Sequence, residues 1–111
     1  IPKTQRIEVI GRDLQTVAAC LKRARLYVCN DSGLMHLSAA LGTPTLGLFG
    51  PGFPQVYGPW GEACAYVTTP ENREELLASL STHKPPPTTL MQSLSVERVA
   101  EAAKKLLART A

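Results

Sequence analysis

The sequence has little that would tie it to a metal, a disulfide framework, a membrane span or a nucleic acid. Its cysteines number only 3, and none is paired at metal-ligand spacing. An odd, unpaired set reads as reduced thiols in a cytoplasmic protein. Cys20 and Cys29 fall in apolar patterns and read as small core residues. His83 stands alone in a Pro-rich segment, so no metal and no cofactor is expected. No apolar run approaches the length of a membrane span, and no signal peptide opens the chain. No basic run occurs, and a net charge of +3 is mild. That argues against a nucleic-acid partner and leaves room for an anionic substrate or a membrane surface. No Gly-Lys-Ser/Thr phosphate loop is present, and no internal repeat.

What is present suffices for a core. Hydrophobic residues make up 44% of 111 residues, which fits one domain or a piece of one. The first residue is Ile1, not Met, so the chain is expected to be an excised C-terminal piece of a longer protein.

Read in order, the chain alternates strands and helices. Ile7, Glu8, Val9 and Ile10 form a first strand candidate, closed by Gly11. Asp13 can cap the helix that follows, with Leu14, Val17, Ala18 and Leu21 as its apolar stripe. Residues 26–29 make a second strand. A second helix is expected over 33–41, with Leu34, Leu37 and Leu41 inward and Gly42 as its stop. Residues 45–49 are apolar throughout, as in a strand covered on both faces. Residues 63–68 give a fourth strand and 71–80 a short helix. Residues 81–94, with Pro85, Pro86 and Pro87, read as an extended connector. Residues 95–109 form the clearest helix: Ser95 caps it, and Val96, Val99, Ala100, Ala103, Leu106 and Leu107 line one face. Glu101 and Lys105 make a favourable pair one turn apart. The pattern predicts an α/β fold, a Rossmann-like parallel sheet of about four strands with flanking helices and right-handed crossovers.

One stretch carries the chemistry: Cys29, Asn30, Asp31, Ser32, Gly33, Leu34, Met35 and His36. It reads as the end of a buried strand, a polar turn and the first turn of a helix. Such a corner aims unpaired N–H groups and the positive end of a helix dipole at one point, where a phosphate or diphosphate would sit. Ser32 and His36 lie four apart, on one helix face. Helical side chains lean toward the N-terminus, so His36 flanks the same point. Two readings stay open at these positions. Asp31 could be an ordinary helix cap or could meet sugar hydroxyls, and His36 could be structural or a ligand.

Residues 50–61 change character. Gly and Pro take most alternate positions, and Phe53, Tyr57 and Trp60 are concentrated there. No helix is expected at Pro54, which removes a dinucleotide-fingerprint reading of Gly50 and Gly52. The loop and the corner should face one crevice at the C-terminal edge of the sheet. Its aromatic rings could stack on a base or sugar, or pack the loop onto the protein, and packing is the favoured use.

The text Asn30-Asp31-Ser32-Gly33-Leu34-Met35-His36-Leu37, then Ala39-Ala40-Leu41-Gly42-Thr43-Pro44 and Leu48-Phe49-Gly50-Pro51, resembles glycosyltransferase family nine, the lipopolysaccharide heptosyltransferases and their relatives. Gly58-Pro59-Trp60-Gly61 is similar to the family's Gly-Pro-aromatic-Gly, and Gly11-x-x-Leu14 to its Gly-x-x-Leu. The resemblance implies a GT-B fold, with this chain as most of the donor-binding C-terminal half. It implies an ADP-heptose-type donor and inverting transfer to an anionic glycolipid acceptor at the cytoplasmic membrane face. By position, Ser32, Gly33 and Leu34 would hold the diphosphate, Asp31 and His36 would lie near the sugar and phosphates, and Arg12 near the base. His36 would act electrostatically, as a cation or as a neutral donor. Gly52 and Phe53 stand where relatives commonly carry Thr and Asp, and only Cys64 stands where many carry several cysteines. The catalytic base is expected in the other half, so this piece alone should not transfer. Two alternatives remain: another GT-B nucleotide-sugar enzyme, such as a UDP-sugar transferase or an epimerase, and a non-catalytic Rossmann-like binding module.

Overall fold

Three short parallel strands organise the computed structural model, which describes residues 1–82 and 90–111. The order along the chain is α1 (Leu14–Arg23), β1 (Tyr27–Asn30), α2 (Gly33–Ala40), β2 (Thr45–Phe49), α3 (Pro54–Tyr57), β3 (Cys64–Thr68), α4 (Arg73–Thr82) and α5 (Val96–Thr110). The sheet runs β1-β2-β3, with Cys29 beside Gly47 and Gly47 beside Tyr66. Side chains alternate across a strand. Phe49 therefore joins Cys29 and Met35 under α2, while Leu46 joins Val67 and Leu106 under α5.

The sheet has three strands among the described residues, not about four. Residues 7–10 do not pair with β1; Ile7 and Ile10 are each 90% exposed, and Arg12 N–H closes a turn on the Val9 carbonyl at 3.2 Å. β1 is therefore an edge strand among the described residues.

The helices follow the predicted stripes in part. In α1 Leu21 is buried, but Leu14 is 65% exposed. Asp13 sits at the N-cap, yet its carboxylate accepts from Thr16 Oγ1 at 2.5 Å rather than from a backbone amide. That bond holds the Asp13 carboxyl below its ordinary pKa. In α5 Ser95 Oγ accepts from Arg98 N–H at 3.2 Å, Glu101 and Lys105 approach to 3.5 Å, and Leu106 fills the core. Val96, expected inward, is 80% exposed. Arg109 Nη2 donates to the Cys64 carbonyl at 3.0 Å and so ties the end of α5 to the start of β3.

α4 begins and ends later than expected. Asn72 Oδ1 accepts from Glu75 N–H at 2.8 Å, which fixes the helix start at Arg73. Ser81 and Thr82 belong to this helix rather than to the connector. His83 and the three consecutive prolines lie outside the described residues. Among the described residues no helix is long and apolar enough to cross a membrane.

Candidate functional site

The β1–α2 corner is held from below. Met35 and Ser38 are both fully buried and form the inner face of α2. This replaces the predicted stripe: Leu37 and Leu41 are half-buried and Leu34 is exposed. A hydroxyl chain explains the buried Ser38. Ser38 Oγ donates to Thr45 Oγ1 at 2.7 Å, and Thr45 Oγ1 donates to the Thr43 carbonyl at 2.8 Å. Thr43 Oγ1 donates to the Leu21 carbonyl at 2.7 Å, which joins α1 to the same seam. No buried side-chain polar atom among the described residues lacks a partner. The helix therefore cannot roll, and the residues that flank Met35 point outward.

Those outward residues are Asp31, Ser32, Gly33, Leu34 and His36, all exposed at one corner. Ser32 occupies the N-cap in an extended conformation (φ −156°, ψ 172°), and no side chain caps the helix. The capping position expected for Asp31 thus belongs to Ser32. The Ser32 carbonyl accepts from Met35 N–H at 3.1 Å, and the earlier amides of the turn are left for an outside acceptor. His36 does not turn into the interior. Arg12 is exposed in the turn before α1 and does not line the cleft beside Asp31.

That cleft has a volume of about 520 Å³ and opens at the C-terminal ends of β1 and β2. Asp31, Phe49, Gly50, Gly52, Arg73 and Met91 bound it. A Cβ on Gly50 would stand 2.7 Å from Met91 Sδ and 3.2 Å from the Leu90 carbonyl oxygen, so the segment before α5 crosses close to the bare backbone there. A Cβ on Gly52 would stand 3.4 Å from Asp31 Oδ2 and 3.3 Å from the Phe49 ring. Neither Arg73 nor Met91 belongs to any motif, and the sequence reading missed both.

The loop over 50–61 is more ordered than expected. Pro54 is the first residue of a one-turn helix, α3, against the expectation that none starts there. Proline suits that place because its φ is preset and its missing N–H has no helical partner. Phe53 lies under the Arg73 guanidinium, 4.8 Å from ring centroid to Cζ. Trp60 is 89% exposed and does not pack the loop down.

The cysteines divide. Cys29 is buried and donates Sγ–H to the Leu46 carbonyl at 3.6 Å. Burial, with the charges of Cys64 and Asp31 added, pushes its thiol up to about 11. Burial also raises the half-buried Cys64. Cys20, expected in the core, is exposed because α1 turns it away from α2. Among the described residues no group of three or more His, Cys, Asp or Glu gathers to hold a metal ion.

Residues 2–85 match the family model described as glycosyltransferase family 9 (heptosyltransferase). Lipopolysaccharide heptosyltransferase 1 of Salmonella typhimurium is 38% identical over 66 residues, which are 59% of this chain and 21% of that protein. The Pseudomonas aeruginosa protein of the same name is 44% identical over 54 residues, 49% of this chain and 15% of its own length. The Escherichia coli K12 protein is 36% identical over 72 residues, 64% of this chain and 22% of its own length. The chain thus spans about a fifth of the length of these relatives. No solved structure matches it.

Proposed function

Because this chain belongs to glycosyltransferase family 9, we propose that it binds the nucleotide-sugar donor of a heptosyltransferase-type enzyme. The donor is ADP-heptose or a close analogue, and the reaction is an inverting transfer in lipopolysaccharide core biosynthesis. The chain is most of the C-terminal half of a GT-B fold, and the catalytic base comes from the acceptor-binding half. Alone, it should not catalyse transfer. The acceptor is an anionic glycolipid, met at the cytoplasmic face of the membrane.

One observation carries the reading: the start of α2 is exposed and uncapped at the C-terminal end of β1, an edge strand of the parallel sheet held in the core by Cys29. The amides of Ser32, Gly33 and Leu34 hold the diphosphate, aided by the helix dipole. His36, one turn on, hydrogen-bonds the diphosphate as it leaves. Asp31 takes sugar hydroxyls, since a carboxylate aimed at a diphosphate would be repelled. Arg12 reaches the base. The acceptor hydroxyl attacks the anomeric carbon, the bond to the diphosphate oxygen breaks on the opposite side, and ADP carries the charge away.

Titration calorimetry of the full-length protein with ADP-heptose, ADP and UDP tests this. ADP-heptose and ADP should bind and UDP should bind more weakly. Preference for UDP-sugars would move the chain to another nucleotide-sugar enzyme. Binding of none would leave a non-catalytic module.

A further inference from the structure

We infer that Arg73 is a positioning residue: it fixes the loop over 50–53 and, through Gly52, sets the room around Asp31 in the donor cleft. This rests on the donor-binding reading above.

Two charged side chains bound the cleft, Asp31 and Arg73. They form no ion pair with each other. Arg73 is committed to the loop instead. Its Nη1 donates to the Pro51 carbonyl, and its guanidinium plane lies over Phe53 at 4.8 Å. A hydrogen bond and a ring contact from one rigid fork fix both the height and the tilt of the loop. Gly52 lies between the two held residues. It passes close enough to Asp31 that a Cβ there would touch Oδ2 at 3.4 Å. A movement of Pro51 or Phe53 that carried Gly52 toward Asp31 would narrow the space beside the carboxylate.

The platform beneath Arg73 is itself anchored. Thr69 N–H donates to the Phe49 carbonyl at 3.0 Å, which pins the end of β3 to the end of β2. Ser93 Oγ donates to Glu71 Oε2 at 2.5 Å and ties the approach to α4 to the segment before α5. That bond keeps the Glu71 carboxyl below its ordinary pKa, so it stays an acceptor. Asn72 caps α4 through Glu75 N–H. Arg73 thus reaches from a fixed base to the exposed part of the loop: Phe53 and Tyr57 are 48% and 57% exposed, beside the buried Pro54.

The test uses the full-length protein with Arg73→Ala and Arg73→Lys, read in two ways. Hydrogen exchange needs no ligand: Arg73→Ala should speed amide exchange over 50–57 and leave α1 and α5 as they were. Steady-state kinetics with ADP-heptose should show donor KM raised about tenfold, with kcat falling less. Arg73→Lys should restore both only in part, because an ammonium can reach the Pro51 carbonyl but cannot lie flat over Phe53. Unchanged exchange over 50–57, or faster exchange throughout the chain, overturns the proposal. Local exchange as expected with donor KM unmoved overturns the link to Asp31. Absence of donor binding by the unaltered protein instead overturns the donor reading, while the exchange arm still decides whether Arg73 holds the loop.

Discussion

Met35 packs its sulfur directly onto the bare backbone of Gly47. A Cβ added to Gly47 would stand 2.8 Å from Met35 Sδ and 2.9 Å from Phe49 Cε2. Met35 is fully buried and separates Leu34 from His36 in α2. The depth at which α2 sits on β2 is therefore set by the absence of one methyl group.

Gly47→Ala should cost about 1–3 kcal/mol of stability, the usual range for an overpacked core. Met35→Ala leaves a cavity and should cost about 2–5 kcal/mol alone. Combined, the two should cost less than their sum, because the new methyl occupies space the thioether left. Urea denaturation of the four proteins checks this, and strict additivity would mean the contact is not the reason for the glycine.

Thr45 stands in the middle of the hydroxyl chain between Ser38 and the Thr43 carbonyl. Thr45→Val keeps the shape and strands both neighbours. The expected loss is about 1–3 kcal/mol, with the Ser38→Ala, Thr45→Val pair losing less than Thr45→Val alone. Urea denaturation of the unaltered protein and the two variants measures it.

His36 is exposed and has no described partner that the fold depends on. His36→Ala in the full-length enzyme should lower kcat about a hundredfold or more while the melting temperature stays nearly unchanged. A large fall in melting temperature with turnover per folded molecule intact would make His36 structural.

Stability should fall in alkali, and the sign follows from the thiols. Cys29 ionises near 9.0 when unfolded and near about 11 when folded. Between those values the unfolded chain has released a proton that the native state keeps, so unfolding becomes easier as pH rises. The contribution is complete below pH 9.0 and is lost by about 11. Tyr27 and Cys64 are raised too and push the same way. Cys29→Ala should make the alkaline loss shallower without abolishing it, as read by urea midpoints across that range. A thiol reagent at neutral pH should label Cys20 first and Cys29 last.

What could be read from the sequence was what neighbours in the chain decide. β2 and β3 were legible as apolar runs, and α5 as a long stripe with a serine cap. The β1–α2 corner was legible because its residue types and spacing are local. What failed depended on distant partners. Residues 7–10 have strand composition but do not add to the edge of β1. In α2 apolar residues lie on several sides, so periodicity could not choose a face; a hydroxyl seam with Thr45 chose Met35 and Ser38. Cys20 sits in an apolar pattern, yet nothing covers it. Arg73 meets Pro51 across a separation of 22 positions, and no local pattern announces such a contact.

Leu106 supplies the side chain that closes the core over Leu46 and Val67. Until α5 has docked, one face of an almost wholly apolar parallel sheet lies open to water. Pairings so far apart in the chain form slowly. A heated or newly made chain will therefore pass through a state whose sticky sheet invites other copies, and loss of this fold should end in precipitation more often than in clean, reversible melting.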